Sequence, residues 1–167
     1  MLKKIALILL MIAPMTVFAQ KFGHIKSQEL LFSMPEYTKA QTDIETLKKQ
    51  HQEDIKRITD ELQKKYAEYQ QEQANLPKNI LERRQKELQD LNERAMQAEQ
   101  DARMDLENSW MAMIQPIAKK VDDAIKAVGQ EGGYVYIFDL DTTNIPFVNE
   151  NSSTDVTNAV KAKLGIK

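Results

Sequence analysis

The sequence predicts an α+β fold in which a long antiparallel helical hairpin, coiled-coil-like in character, is inserted into a small β-rich body. Residues 37–128 supply the first observation, because charged and amide side chains there surround a thin apolar stripe of helical periodicity. The second observation is a break at residues 75–79, which divides this stretch into two helices of roughly forty residues. The apolar stripe of each helix is expected to be buried by packing against the other helix. The third observation is the run from Tyr134 to Phe138, whose β-branched and aromatic residues are typical of a strand.

Residues 1–19 have the features of a secretory signal peptide. A basic start precedes an unbroken apolar run from Ile5 to Ile12, and Val17 and Ala19 place small residues at the −3 and −1 positions of a cleavage site. The apolar run is far below the ~18 residues needed to span a membrane. We therefore predict export, with a mature chain that begins at Gln20.

The charges of the chain are nearly balanced. Its 23 basic and 25 acidic residues are interspersed, and removal of Lys3 and Lys4 with the signal leaves 21 against 25, a net charge of −4. A weakly acidic chain of this kind is not expected to bind nucleic acid. The sequence contains no cysteine, so a small exported body needs a source of stability other than disulfides.

The body is predicted to begin with residues 20–36. Lys21 to Lys26 is a short strand candidate, and a short helix from Gln28 to Phe32 follows, with Ser27 as its cap. Ser33 to Glu36 has the Ser-x-x-Glu pattern of a capping box and contains a proline in its first turn. It is therefore predicted to start the first long helix.

The arm, residues 37–128, is predicted to turn back at a tip formed by Leu76, Pro77 and Ile80, because Pro77 cannot continue a helix. The residues of the two apolar stripes are Ile44, Ile55, Ile58, Leu62 and Tyr69 before the tip and Leu81, Leu88, Leu91, Ala95, Ala98 and Ala102 after it. Antiparallel pairing about Pro77 places residues whose numbers add to about 155 opposite each other. The second helix is predicted to run from about Asn79 to about Val128.

Polar residues interrupt the seam between these helices. His51 and Gln73 lie on the stripe and Lys65 lies close to its edge, so we expect the helices to hold each other only weakly. Pro116 is expected to kink the second helix where its apolar stripe changes face, near Trp110, as the arm enters the body.

The rest of the body, residues 129–167, begins with the glycines that are predicted to end the second long helix, which are Gly129, Gly132 and Gly133. The strand from Tyr134 to Phe138 follows, and Ile145 to Val148 is predicted to be a further strand, at an edge because Pro146 has no N–H to donate. After a loop, Thr154 to Leu164 is predicted to be a helix that ends at the glycine behind it.

A body of three short strands and two short helices is marginal by itself, and its sheet has open edges that carry aromatic side chains. Association of several copies in a closed, symmetric oligomer would bury these edges. The residues expected in this oligomerisation body are Phe22, Ile25, Tyr134, Tyr136, Phe138, Phe147, Val156 and Val160.

Patterns for catalysis and cofactor binding are weak. Asp139-Leu140-Asp141-Thr142-Thr143 matches the nucleophile motif of haloacid-dehalogenase-type phosphatases, but too little sequence follows it for such an enzyme, so a polar turn is the better interpretation. His24 and His51 have no partners at metal-ligand spacing, and no phosphate-binding loop is present. We expect no enzyme activity, no metal and no cofactor.

The arm carries candidate contacts for a partner that changes in sequence. Met96, Met104 and Met111 lie within about 80° of one another and away from the seam, and flexible methionines suit a surface that must accept many sequences. Chance scatter of helix-forming residues would also explain them. Tyr66 and Tyr69 near the tip are candidate partner contacts as well, although a place in the seam is an alternative for both.

Four groups of residues carry a resemblance to a known family: Phe22 to Ile25, Glu29 to Leu31, Gly133 to Asp139 and Thr154 to Thr157, with a long charged hairpin between the second and the third. The sequence resembles the Skp/OmpH family of periplasmic chaperones over essentially the whole mature chain. The resemblance implies a jellyfish-like homotrimer in the periplasm, with a β-barrel body and helical arms around a cavity that takes in unfolded outer-membrane proteins. Binding to lipopolysaccharide or an anionic membrane surface, which the resemblance also implies, is disfavoured by the near-neutral or acidic arms.

Two functions from different classes are compatible with these features. The first is a holdase chaperone that keeps unfolded outer-membrane proteins soluble. The second is a structural coiled-coil adaptor, a periplasmic spacer that docks to one fixed, folded partner. The range of partners distinguishes them, because a holdase accepts unrelated unfolded proteins and an adaptor does not.

Overall fold

The computed structural model describes residues 20–166, so the predicted signal peptide, residues 1–19, lies outside the described residues. The elements in chain order are strand β1 (Lys21–Ile25), helix α1 (Ser27–Ser33), helix α2 (Pro35–Glu72), a 3₁₀ turn (Gln73–Asn75), helix α3 (Lys78–Glu131), strand β2 (Tyr134–Asp139), strand β3 (Ser153–Asp155) and helix α4 (Thr157–Leu164). The predicted architecture of a long helical hairpin and a small sheet is confirmed. Within residues 20–166, no helix has the length and apolar character that crossing a bilayer requires.

The three strands form one parallel sheet in the order β2-β1-β3, so the first strand of the chain lies in the middle. Gly23 at its centre is buried, and a Cβ there would lie 3.2 Å from side-chain atoms of both Tyr134 and Ile137. Contacts this close leave room only for glycine unless these two side chains move. The sheet therefore packs tightly on the side that faces the helices.

A bulge in β2 decides which of its aromatic side chains face the core. The strand pairing shifts at the start of β2, and Val135 is the extra residue. Before the bulge Tyr134 packs against the core, and after it Ile137 does, while Tyr136 and Phe138 are exposed on the opposite face. Regular alternation would have put all three aromatic residues on one side of the sheet.

The predicted strand Ile145 to Val148 is wrong. That segment forms no strand, and the third strand is β3, whose Ser153 pairs with Phe22. Two contacts hold β3 beside β1: Ser153 Oγ lies 2.9 Å from His24 Nδ1, and the Val156 N–H donates to the His24 carbonyl at 3.0 Å. The last helix therefore begins at Thr157 instead of Thr154.

The two predicted side-chain caps are also wrong, because both serines have other partners. The Ser27 hydroxyl donates to Asp139 Oδ2 at 2.5 Å. The N-cap residue of α1 is Lys26, which makes no side-chain hydrogen bond to the helix. The Ser33 hydroxyl donates to the Leu30 carbonyl at 2.7 Å, so no capping box forms. Met34 precedes α2, again without a side-chain cap.

The hairpin pairs in the predicted register. The Gln85 side-chain amide donates to the Tyr69 hydroxyl at 2.8 Å, and His51 Nε2 lies 2.8 Å from Asp105 Oδ2. The numbers of both pairs add to about 155, as expected for antiparallel helices that turn at Pro77. Leu76 and Ile80 are half-buried at this tip.

Helix α3 is continuous over 54 residues and includes Pro116. Gly129 does not stop it, because the helix extends to Glu131 and is capped by Gly132. Gly133 follows with a φ of +64°, a left-handed conformation that suits glycine and turns the chain into β2.

The hydrophobic core lies between the helices and one face of the sheet. Its buried residues are Ile25, Leu30, Met34, Ala40, Ile117, Val121, Ala124, Val128, Val156 and Val160. Ala40 and residues 117–128 belong to the long helices, so the base of the hairpin contributes a large part of this core. Trp110 and Met113 pack against it, which confirms the predicted change of face in the stripe of α3.

Candidate functional surfaces

Four aromatic side chains lie on or beside the outer face of the sheet, three of them exposed and Phe22 half-buried. We call this set, Phe22, Tyr136, Phe138 and Phe147, the aromatic face. The rings of Phe22 and Tyr136 are parallel with centroids 6.4 Å apart, and Tyr136 and Phe138 are 5.8 Å apart. Tyr136 is 60% exposed, Phe138 41% and Phe147 79%. A cavity of about 320 Å³ opens beside Phe22, Phe138 and Phe147, so the surface offers both apolar area and a recess.

The eight residues expected in the oligomerisation body divide between the two sides of the sheet. Ile25, Val156 and Val160 are fully buried in the core of the single chain, and Tyr134 packs against that core. The other four form the aromatic face. Tyr136, Phe138 and Phe147 leave the most surface for a second copy to cover, whereas Phe22 and Tyr134 are half-buried.

Asp139 ends β2 and joins it to the start of α1. Its carboxylate accepts hydrogen bonds from the Ser27 hydroxyl (2.5 Å), the Ser27 N–H (3.2 Å), the Thr142 hydroxyl (2.7 Å) and the Asp141 N–H (3.1 Å). Partial burial acts to raise the pKa of the Asp139 carboxyl, but these hydrogen bonds outweigh it and hold that pKa below its ordinary value. A carboxylate with four donors is occupied as a structural acceptor, in keeping with the polar-turn interpretation of the Asp-x-Asp-x-Thr motif.

We expect Asp139→Asn to destabilise the body by about 1–3 kcal/mol at pH 7, because the amide cannot accept all four hydrogen bonds. The pKa of Asp139 is lower in the folded protein than in the unfolded chain. Its stabilisation is therefore complete above the unfolded pKa of about 4 and is lost as the pH falls through the folded pKa. Urea unfolding at pH 7 and pH 3, at one protein concentration, should give a difference between parent and variant that shrinks in acid.

Asp122→Asn is the matched control for this prediction. Asp122 is exposed on α3, and its carboxylate has no hydrogen-bond partner within residues 20–166. Its replacement should leave the free energy of unfolding within about 0.5 kcal/mol of the parent at both pH values. Equal effects of the two substitutions would contradict the assigned role of Asp139.

On the arm, the three predicted methionines are exposed and lie off the seam. Met96 is 63% exposed, Met104 47% and Met111 63%, whereas Leu91 and Ala95 on the seam side of α3 are buried. The two tyrosines differ from each other. Tyr69 is half-buried with its hydroxyl hydrogen bonded to Gln85, so it belongs to the seam, and Tyr66 is 52% exposed.

Two of the three polar residues predicted at the seam, His51 and Lys65, are paired across it. Lys65 forms an ion pair with Glu87, and its hydrogen bond lowers the pKa of the Glu87 carboxyl. Arg84 Nη2 lies 3.0 Å from Glu72 Oε2 nearer the tip. Ion pairs as exposed as these contribute little each, so they set the register more than they add stability. The predicted place of Gln73 on the stripe is wrong, because it is exposed in the 3₁₀ turn and its amide donates to the Gln70 carbonyl at 3.4 Å.

The sequence profile of the family described as outer membrane protein (OmpH-like) matches residues 21–164, from the start of β1 to the end of α4. The chain belongs to the OmpH-like family. This confirms the resemblance inferred from the terminal motifs.

A solved structure from Caulobacter crescentus CB15 has a fold similar to that of this OmpH-like chain. That protein is described, as a provisional assignment, as an outer membrane chaperone (OmpH-like). The two share 14% sequence identity with a TM-score of 0.73, and the match covers 87% of this chain and 83% of the other. At this identity the likeness concerns the fold alone. No curated protein sequence is significantly similar to this chain.

Three aromatic side chains form a cluster at the base of the OmpH-like arm that the sequence does not predict. The ring of Tyr37 lies between Phe32, at a centroid distance of 5.1 Å, and Trp110, at 5.8 Å. Phe32 remains 56% exposed. The sequence predicts only Trp110 at this junction, because Phe32 and Tyr37 belong to separate predicted helices and no sequence spacing connects them. Within residues 20–166, no group of three acidic, histidine or cysteine side chains could hold a metal ion.

Proposed function

We propose that this protein is an ATP-independent holdase of the periplasm, a homotrimer whose helical arms enclose unfolded outer-membrane β-barrel proteins and prevent their aggregation. In this proposal residues 20–36 and 129–167 assemble the body, and residues 37–128 form the arm that holds the client. The observation that carries it is that apolar side chains remain exposed in two separate places, the aromatic face and the methionine surface of the arm, which the fold of one chain does not use.

The aromatic face supports assembly. Large side chains clustered around a recess on an exposed sheet face are typical of a surface that another copy covers. Burial of apolar area stabilises by about 25 cal/mol per Å², and aromatic residues contribute most of it at interfaces. The resemblance to the Skp/OmpH family supplies the number of copies.

The shape and chemistry of the arm support holding. At 1.5 Å per residue, the 38 residues of α2 extend about 57 Å. An arm of this length presents more surface than is buried in a typical interface between two folded proteins. Methionine side chains adapt to different apolar partners, so Met96, Met104 and Met111 suit a client without fixed structure. The description of the related structure as an outer membrane chaperone agrees with this function.

Export to the periplasm would follow from removal of residues 1–19 as a signal peptide. That compartment offers no nucleotide supply on which a chaperone could depend. Release of the client would then follow from its own folding, since a holdase that binds reversibly loses its ligand when the ligand buries its apolar surface.

The test is the light scattering of a urea-denatured porin diluted into buffer. We expect one trimer of residues 20–167 per porin to suppress aggregation, with or without Mg-ATP. A variant with Met96→Gln, Met104→Gln and Met111→Gln should protect less than the parent, because glutamine has a similar helix propensity but removes apolar contact area. Circular dichroism and sedimentation confirm that the variant keeps its helices and its oligomeric state.

Three outcomes would contradict the proposal. The first is aggregation that proceeds equally with and without the protein. The second is protection that requires ATP. The third is protection restricted to one folded partner, since this would identify a structural adaptor and not a holdase.

A further inference from the structure

A groove between the two helices lies in the outer half of the arm. Its volume is about 460 Å³, and it is lined by Leu62, Gln63 and Tyr66 of α2 and by Leu88, Gln89 and Asn92 of α3. Leu62 and Leu88 are half-buried, so they form its floor together with the exposed ring of Tyr66. The three amide residues are exposed and form its rim. We call these six residues the distal groove.

The distal groove is uncharged on an arm that is otherwise rich in charge. None of its six lining residues carries a charge at neutral pH, although 29% of the whole chain is charged. The nearest charges on the seam, Lys65 and Glu87, are paired with each other. The six lining side chains therefore offer no counter-ion, and a charged occupant would lose water on them without gaining a partner.

The rim offers hydrogen bonds of both kinds. Each carboxamide has two donor hydrogens and one acceptor oxygen. The Gln89 amide donates to Glu93 Oε1 at 3.0 Å, and the Asn92 amide lies 3.8 Å from Met96 Sδ. Within residues 20–166, the amide oxygens of these two residues accept no side-chain hydrogen bond and stay open. Gln63 on the other helix brings a third carboxamide to the same rim.

We propose that the distal groove binds an extended, uncharged segment of an unfolded polypeptide, with one apolar side chain on the leucine floor and the backbone between the carboxamides. This assignment rests on the proposed holdase function and names the chemistry of its client. An extended chain points alternate side chains to opposite sides and leaves its N–H and C=O groups free for the rim. Strands of outer-membrane barrels have this alternation of apolar and polar residues.

The arm of a second copy is a poorer occupant of the groove. A helix satisfies its own backbone hydrogen bonds, so it would leave the carboxamide rim without partners. The exposed sides of these helices also carry charges, which the uncharged groove cannot compensate.

A peptide-binding experiment tests whether the distal groove binds an extended, uncharged segment. The probe is a twelve-residue peptide of alternating valine and threonine with a central tryptophan and a fluorescent label, measured by anisotropy with the assembled protein. The variant with Gln63→Glu and Gln89→Glu keeps the shape of the rim but charges it. We expect its Kd for the peptide to rise at least about tenfold, because the carboxylates lose water when the peptide covers them.

The matched control is the variant with Gln52→Glu and Gln100→Glu, which makes the same change at one exposed glutamine on each helix outside the groove. Its Kd should stay within about twofold of the parent. Equal weakening by both pairs, or no weakening by the groove pair, overturns the groove as the binding site. Circular dichroism of each variant excludes loss of helix as the cause.

The same samples distinguish this inference from the proposed function. If the parent protects a denatured porin but does not bind the peptide, the groove assignment is wrong and the holdase function stands. If the parent neither binds the peptide nor protects the porin, both are wrong. Peptide binding that the groove pair abolishes, together with protection by the parent, supports both.

Discussion

Replacing Phe138 with aspartate is expected to dissociate the assembled protein into folded monomers. In a single chain the Phe138 side chain is 41% exposed on the aromatic face and takes no part in the core, so the fold tolerates the change. In the oligomer the new carboxylate would be buried without a partner, which costs several kcal/mol. A loss of that size raises the dissociation constant more than about a hundredfold. Sedimentation equilibrium of residues 20–167 at micromolar concentration measures it, and circular dichroism reports the fold.

Two further substitutions make this prediction specific. Phe32→Asp is the matched control, because Phe32 is a phenylalanine with 56% exposure that lies at the base of the arm and not on the aromatic face. It should leave the oligomer assembled. Ile25→Asp should instead unfold the body, since Ile25 is only 1% exposed in a single chain. A Phe138→Asp protein that sediments like the parent, or a parent that is already monomeric, would contradict assembly through the aromatic face.

Ile25 and Phe138 lie on opposite sides of the sheet, a difference that the sequence alone does not predict. Both are apolar strand residues, and both were predicted to take part in oligomerisation. The bulge at Val135 decides which face of the sheet each side chain of β2 occupies. No residue type in this strand predicts a bulge at that position. The third strand was missed for a similar reason, because β3 is held by long-range contacts of His24 with Ser153 and Val156 and has little strand propensity of its own.

The arm was more predictable, because its structure is determined by local sequence. The apolar stripes, the break at Pro77 and antiparallel pairing were sufficient to place Tyr69 opposite Gln85. The helix starts were less predictable, since Ser27 and Ser33 found partners other than the N-terminal N–H groups. On the candidate surfaces, exposure of Met96, Met104 and Met111 was foreseen. The distal groove was not, because it depends on which residues of two helices incompletely fill the space between them.

Deleting Ile58 to Gln97 should abolish the protection of an unfolded porin while it leaves the oligomer intact. The deletion joins residues that face each other across the hairpin, so a short glycine-containing turn can connect them without a change of register. The pair of His51 with Asp105 and the buried Ala102 remain to hold the shortened helices together. The body core and the aromatic face are untouched, and sedimentation should give the mass of a shortened trimer.

A shorter deletion, Gln70 to Arg84 with the same turn, is the matched control. It joins Tyr69 to Gln85, which are already hydrogen bonded at 2.8 Å, and it removes the tip alone. Tyr66, Met96 and the distal groove remain in this variant. It should therefore keep most of the protection, although the cavity becomes shallower.

The two deletions together separate the contribution of arm chemistry from that of arm length. The longer one removes about half of the arm, including Tyr66, Tyr69, Met96 and the whole distal groove, and retains only Met104 and Met111 of the candidate contacts. We expect the scattering of a diluted porin to reach that of the porin alone with this variant and to stay low with the control. A gradual loss in proportion to length would instead indicate that the volume of the cavity matters more than the residues that line it. Undiminished protection by the longer deletion would place the client on the body and contradict an arm-centred mechanism.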